Sequence, residues 1–335
     1  MTRAEKRQAF WERNRKSGGY LLKKKIGQWL FSLGRGILIF GLCFLILQPL
    51  LQKLCVSFMS EMDLYDNTIT SVPRHFSTIS YSNAWRQFKG ITTFLRSLWL
   101  AVRVAFLQVL SCTLVGYGFA RFKFPLKKFL FGCVILMLIV PPTTIITPLY
   151  LYFGDFDIFG IIGSITGTHK GLNLQGLAVP YLLMCATCAG YKAGLYIYMM
   201  RQHFRNEPKE LEEAAYVDGC GRLRTFFQIL LPGARPMMVS VFLFAFVWQW
   251  TDQIYTRVFF PTAKWDLVST KLLNIGNLFD GENKARLGMG YVTPAAYMNQ
   301  VMATGTLMAL VPLLVIYVVA QRSFVESISQ SGIKG

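Results

Sequence analysis

Apolar positions run through this chain in long blocks rather than in alternation. Between Arg35 and Lys53 lies an uncharged stretch, 36–52. Four more follow at 97–120, 129–154, 177–200 and 236–260, broken only by Arg103, Lys192, Asp252 and Arg257. A last one, 287–321, carries no charge at all, and its densest part begins at about 299. A bilayer core of about 30 Å takes roughly 20 apolar residues as a helix. The pattern therefore predicts an all-α integral membrane protein with six transmembrane helices.

Composition and charge sharpen that picture. Apolar residues make up 53% of the 335 and charged ones only 16%, yet the net charge is +18. A basic excess has two readings, a polyanionic partner or the positive-inside rule. Sorting the polar segments by side separates them. Segments 1–35, 121–128, 201–235 and 322–335 hold 22 Lys and Arg against 8 acidic residues; segments 53–96, 153–176 and 261–298 hold 10 against 8. Both termini are thus expected on the cytoplasmic side, and nucleic acid is excluded as a partner. Lys23, Lys24 and Lys25 stand just before the first apolar run, where anionic lipid headgroups attract them. That run is not expected to be a cleaved signal, because its basic leader is too long and no small-residue cleavage site follows Gln52. The expected organisation is a basic tail, 1–35; a first helix with a long outer loop, 36–91; a core domain, 92–321; and a short tail, 322–335.

Chemistry is sparse. The seven cysteines show neither disulfide nor metal-ligand spacing, and Cys185 and Cys188 read as small buried residues. His75, His169 and His203 fall in separate loops, where solvent exposure is expected. No stretch fits the phosphate-cradling pattern G-x-x-x-x-G-K-[ST]. No nucleophile stands beside a base, so no catalysis is expected of this chain.

The 201–235 segment is too patterned for a plain connection. Asn206 and Pro208 suit a helix start, and Glu207, Glu210, Glu212 and Glu213 crowd that end as the helix dipole prefers. Gly219 or Gly221 suits a left-handed helix stop. A second short helix is expected over about 222–231, closing at Pro232. The result is a helix–turn–helix with Ala214 and Ala215 small enough for another backbone to approach.

Here the chain resembles a known family. Glu213-Ala214-Ala215, Asp218-Gly219 and, after the nine-residue gap 220–228, Ile229-x-Leu231-Pro232 match the EAA loop of ABC importer permeases. The lead-in from Phe204 through Pro208 and Leu211 is similar to the sugar-importing branch. Tyr117-Gly118-Phe119-Ala120-Arg121-Phe122-Lys123-Phe124-Pro125 resembles the end of the second span in maltose-type permeases. Val140-Pro141-Pro142 with Thr147-Pro148-Leu149-Tyr150 is similar to their third span, and Ser331 to Gly335 to their C-terminal ending. Two departures stand out: Cys220 where Ala is usual, and Trp248-Gln249-Trp250-Thr251-Asp252 where Trp-Asn is common.

The resemblance implies a type I ABC importer transmembrane fold and a non-catalytic permease subunit. Its implied partners are a second homologous permease, two cytoplasmic ATPases and an extracellular solute-binding protein. ATP and Mg²⁺ would be used by the ATPases, with no cofactor bound by this chain. Glu213, Ala214, Ala215, Asp218, Gly219, Ile229, Leu231 and Pro232 would dock the ATPase. The cargo would be a saccharide; a peptide or another small solute carried by the same architecture is the alternative. A secondary transporter would call for inverted repeats, which the sequence lacks.

Ionised residues at bilayer depth are costly and tend to line a polar path. Lys192 lies nine residues before Arg201, about 13 Å at 1.5 Å per residue and near the midplane. With Tyr191, Trp248, Trp250, Asp252 and Arg103 it is a candidate for the solute path. The alternative for Arg103 and Asp252 is a structural pair near the outer edge. Two cations against one acid suggest an acidic oligosaccharide.

Overall fold

The computed structural model describes residues 11–332 except 13, 67, 70, 71, 159, 168–170, 262 and 263, so His169 and Ile333, Lys334 and Gly335 lie outside the described residues. Among the described residues the chain is helical, with two isolated β-bridges, Met59 to Phe76 and Phe156 to Leu172. It divides into two units, Met1–Ser77 and Thr78–Gly335.

The first unit is dominated by α1, Tyr20–Ser57, whose 38 residues extend about 57 Å, well beyond a bilayer core. The apolar run 36–52 forms only its middle; the lysine-rich turn before it is helical too. Its apolar side chains are exposed nearly throughout, as lipid contact requires. A short helix, α2 (Glu61–Tyr65), is capped by Ser60, whose Oγ accepts from Asp63 N–H. The Asp63 carboxylate then accepts the N–H groups of His75 and Arg74 at 2.8 Å each and meets His75 Nδ1 at 2.8 Å. The His75 N–H, helped by that ring and Arg74, holds the carboxyl below its ordinary value.

The second unit begins with α3 (Ile79–Gln87) and the 31-residue α4 (Ile91–Arg121). Here the expected spans and the structure diverge in an informative way. The 129–154 run is two helices, α5 (Lys127–Ile139) and α6 (Pro142–Tyr152), bent by 104° where Pro141 removes a backbone donor. A short helix, α7 (Ile161–Thr166), follows. The 177–200 run is broken as well, into α8 (Val179–Ala186) and α9 (Ala193–Asn206). Between them Cys188 and Lys192 take left-handed φ values of 60° and 64°. Among the described residues three helices are long and apolar enough to cross a membrane, or up to five if each bent pair counts once; the 177–200 run is not among them, its two pieces each being short.

The expected helix–turn–helix is α10 (Glu210–Val217) followed by α11 (Arg222–Thr225), which runs on as a π-helical turn, Phe226–Leu230, and a last turn, Leu231–Gly233. Two details are corrected. Asn206 ends α9 instead of capping α10, and Pro232 sits inside the turn it was expected to close. The bend comes at Ala234, 70° before α12 (Arg235–Thr251). Then come α13 (Ile254–Phe259), α14 (Val268–Leu287) and α15 (Ala295–Gly332).

α4 is the centre of this unit, packed against α9 on one side and α12 on another. Ala101, Ala105, Cys112 and Gly116 lie one or two turns apart along one face of it and are buried. Small residues at that spacing let helix backbones approach closely in a membrane. At Gly116 the approach is closest: a Cβ there would lie 2.6 Å from Met200 Cβ and 2.9 Å from the Arg201 backbone nitrogen. A second core, built on Leu100, Val104, Tyr181, Cys185, Tyr255 and Phe259, joins α4 to α8 and α13.

The histidine expectation is also revised. His203 stands on α9 with its side chain only 9% exposed and against Phe204 at 5.6 Å; its Nε2, 3.6 Å from Glu207, makes no hydrogen bond among the described residues. Burial lowers its pKa below 6.5, opposed in part by the Glu207 carboxylate. The folded chain therefore prefers neutral imidazole, and the unfolded chain takes up the proton first as pH falls. Stability is expected to be full above about pH 6.5 and to decline below it. Thermal melting against pH checks this, and His203→Gln should flatten the slope.

Gly116→Leu is expected to lower thermal stability by about 1–3 kcal/mol or more, since the overlap is with backbone. Gly118→Ala, where the nearest side-chain atom is 4.0 Å away, should stay within about 0.5 kcal/mol. Melting of the purified protein in detergent separates the two.

Candidate functional site

Two places in the second unit concentrate unusual chemistry. The first is the hairpin of α10 and α11. Cys220 N–H reaches back to Ala215 O at 2.9 Å and Gly219 N–H to Tyr216 O at 3.1 Å. This pair of bonds is a Schellman stop, and Gly219 supplies its left-handed residue at φ 80°. Gly221, at φ −73°, needs no such freedom.

Two contacts fasten the hairpin to α4. Arg121 Nε meets Glu212 Oε1 at 2.7 Å, with the side chains only 7% and 12% exposed. The same guanidinium donates through Nη2 to Glu207 O at 2.8 Å. One turn back, Tyr117 packs on Phe226 at 4.5 Å and on Phe204 at 5.4 Å. So the Tyr117 to Arg121 segment, read as the end of a span, grips the loop that follows two helices later.

Large apolar side chains remain turned outward among the charged ones. Val217 is 88% and Leu223 76% exposed, with Leu211, Tyr216 and Phe227 exposed around them. Glu213, Ala214, Asp218 and Gly219 lie on the exposed surface of the hairpin. Ala215 does not; it is buried in the chain's own body. Ile229, Leu231 and Pro232 are half-buried, and Leu231 packs on the main core. The expected docking set thus divides into an outward half and an inward half. Val217, Leu223 and Phe227 were missed by sequence reasoning, although apolar residues flanking a glycine turn between charged ones are a legible sign.

The second place is the break between α8 and α9. Interrupting a helix strands backbone groups that lipid cannot satisfy. Ser111 Oγ on α4 donates to Cys185 O at the end of α8 at 2.8 Å, a partner the break removed, and Cys112 Sγ approaches Ala193 O at 3.8 Å. The break faces a cavity of about 540 Å³, lined by Leu136 to Pro142, Gly190 to Gly194 and Tyr255. Lys192 reaches over two aromatic faces, its Nζ 5.3 Å from the Tyr191 ring and 5.0 Å from that of Trp248. Those rings meet edge to face at 5.7 Å, and Tyr191 also touches Tyr255 at 5.4 Å. An ammonium over aromatic faces gains about 0.5–2 kcal/mol from their quadrupoles. No carboxylate pairs with it among the described residues.

Of the six residues expected along a solute path, the structure brings together Tyr191, Lys192 and Trp248. Tyr255, unanticipated, joins them. The other three are elsewhere. Asp252 is buried and its carboxylate accepts from the N–H groups of Ile254, Tyr255 and Thr256 and from the Thr256 hydroxyl, closing the start of α13. Trp250 is buried with its Nε1–H on Ala309 O at 3.0 Å, joining α12 to α15. Arg103 is exposed over the Trp99 ring at 4.2 Å. No Arg103–Asp252 pair forms.

Comparison with known proteins agrees with this architecture. Residues 113–326 match the family model described as "Binding-protein-dependent transport system inner membrane component". The arabinooligosaccharides transport system permease protein of Halalkalibacterium halodurans is 25% identical over 92% of this chain and 96% of its own length. The diacetylchitobiose uptake system permease protein of Streptomyces coelicolor is 27% identical over 85% and 83%. The melibiose/raffinose/stachyose import permease protein of Bacillus subtilis is 27% identical over 78% and 83%. Among solved structures, a bacterial ABC transporter involved in the import of the acidic polysaccharide alginate shares the fold, at TM-score 0.67 and 16% identity over 88% of this chain and 96% of that one. With the family model covering well over half of its residues, the chain belongs to the family of binding-protein-dependent transport system inner membrane components.

Proposed function

We propose that this chain is the permease subunit of an ATP-driven importer and forms half of the path for a saccharide. The single observation that carries the reading is the hairpin: stopped by a left-handed glycine, fastened to α4, and apolar on its outer face. An exposed apolar patch of this kind marks a partner surface. Its partner in this reading is a cytoplasmic ATPase, which receives the hairpin helix-in-groove through Val217, Leu223 and Phe227 with Glu213, Ala214, Asp218 and Gly219 at the turn. Ala215, Ile229, Leu231 and Pro232 act from behind by seating the hairpin. ATP and Mg²⁺ are bound by two such ATPases; this chain supplies no catalytic group and takes no cofactor. A second homologous permease completes the path, and an extracellular solute-binding protein delivers the cargo.

In this reading the membrane is crossed six times with both termini cytoplasmic. The α8–break–α9 segment is the fourth crossing, and its irregular backbone is tolerated because it lines a cavity. The core domain is 92–321, with the coupling loop at 201–235. When the ATPases close on ATP, the hairpin is pushed and α4 moves with it. Tyr191 and Trp248 offer aromatic faces to sugar rings, and Lys192 offers an ammonium to hydroxyl or carboxylate oxygens. Saccharide cargo is supported by the named cargoes of the arabinooligosaccharide, diacetylchitobiose and melibiose/raffinose/stachyose permeases. The unpaired Lys192 favours an acidic one.

Three outcomes test this. Gly219→Val forces a branched side chain into a left-handed turn at about 1–2 kcal/mol and is expected to abolish uptake and ATPase co-purification, while Gly221→Ala leaves both intact. If Gly219→Val retains both, the docking assignment is wrong. Glu212→Ala leaves Arg121 unpaired in a mostly buried site, a loss of about 3–5 kcal/mol locally, and should impair coupling more than the double variant with Arg121→Met. Lys192→Gln is expected to raise the uptake KM for a uronate-bearing oligosaccharide at least tenfold; competition by neutral sugars alone would rule out the acidic cargo.

A further inference from the structure

Beside the hairpin, and separate from its outer face, lies a pocket of about 560 Å³ at the junction of α4, α5 and α9. Lys127, Lys128, Arg201, Arg205 and Lys209 line it, and the sixth cation there, Arg121, is engaged by Glu212. None of the five has an acidic partner among the described residues. Glu212 is taken by Arg121 and Glu207 lies nearest His203, so the neighbouring carboxylates are already committed. Arg201 lies flat on Phe131, its Cζ 3.8 Å from the ring centroid, and its buried Nε has no hydrogen-bond partner. Lys127 is steered inward by donating to Phe122 O at 2.7 Å.

Five like charges converging without a counter-ion repel one another. Lys127 loses proton affinity through burial first and through Arg201 and Arg205 next, and Arg201 does so through burial and Arg205. An anion seated among its members offsets that repulsion. Immediately outside it, Leu126, just before α5, and Phe129 and Leu130 on α5 are exposed apolar side chains. A cationic pocket continuous with an apolar helix face matches a molecule with an anionic head and hydrocarbon tails.

We propose that this pocket binds the phosphate headgroup of an anionic phospholipid, with the acyl chains lying along α5. Its assignment to the cytoplasmic leaflet rests on the topology proposed above. The lipid neutralises the basic end of α9 and ties α5 to the root of the hairpin.

The test uses the assembled importer, this chain with its partner subunits, in nanodiscs of phosphatidylcholine with or without phosphatidylglycerol. Retained lipid is read by native mass spectrometry after partial delipidation, and ATPase co-purification is read in the same preparations. Phosphatidylglycerol should be retained in preference to phosphatidylcholine. The Lys127→Gln/Lys128→Gln/Arg205→Gln variant should weaken that retention roughly fivefold per cation removed, with co-purification unchanged. Equal retention of the two lipids, or undiminished retention by the variant, overturns the proposal. Loss of the ATPase in the variant with lipid retained assigns the cations to an acidic surface of the ATPase instead. Displacement of phosphatidylglycerol by inorganic phosphate or ATP at equal charge assigns a soluble anion site and also overturns it. If the unmodified chain fails to co-purify an ATPase, the importer reading fails, whatever the lipid result.

Discussion

The near-contact of α4 and α9 at Gly116 is the constraint on which the rest of the second unit depends. With no hydrophobic force between helices in lipid, closeness of backbones provides the packing, and a side chain at Gly116 would remove it. Because α9 is pressed to α4 there, Phe204 reaches Tyr117 and Phe226, and Arg121 reaches the hairpin. Higher on the same helix, the same closeness lets Ser111 and Cys112 satisfy the broken backbone around 185–193. One tight interface thus supports both places where function is assigned.

The break before α9 also explains the odd position of Lys192. A left-handed non-glycine residue costs about 1–3 kcal/mol and persists only when its surroundings enforce it. Here Gly190 is held against Cys185 and Gln108, and α9 must restart at Ala193 to meet α4. The strained backbone leaves the ammonium over Tyr191 and Trp248, held by aromatic faces and with no carboxylate partner among the described residues.

Helical class and the hairpin were legible because each rests on local signals: charge-free runs, a glycine stop, and fixed identities at fixed offsets. Gly219 is such a signal, since a left-handed helix stop is a property of a few consecutive residues. The break between α8 and α9 was not legible. Nothing in the 177–200 run contains proline at its middle, and the interruption is imposed by what α4 offers, a tertiary effect. Asp252 and Trp250 show the same limit from the other side. A polar residue in an apolar run reads as a path residue until its partners are known, and here those partners are the start of α13 and a carbonyl of α15. Arg103 stands exposed over the Trp99 ring, apart from Lys192, because depth along a helix says nothing about which face a residue occupies.

The distribution of holds along α4 has a mechanical consequence. Its tight contact at Gly116 lies five residues from Arg121, where the hairpin is gripped, and twenty-five from Ile91 at the other end. At 1.5 Å per residue these are arms of about 8 Å and about 37 Å. In the importer reading proposed above, a rigid rod turning about that contact would convert a displacement of about 1 Å at the gripped end into one of about 5 Å at the far end.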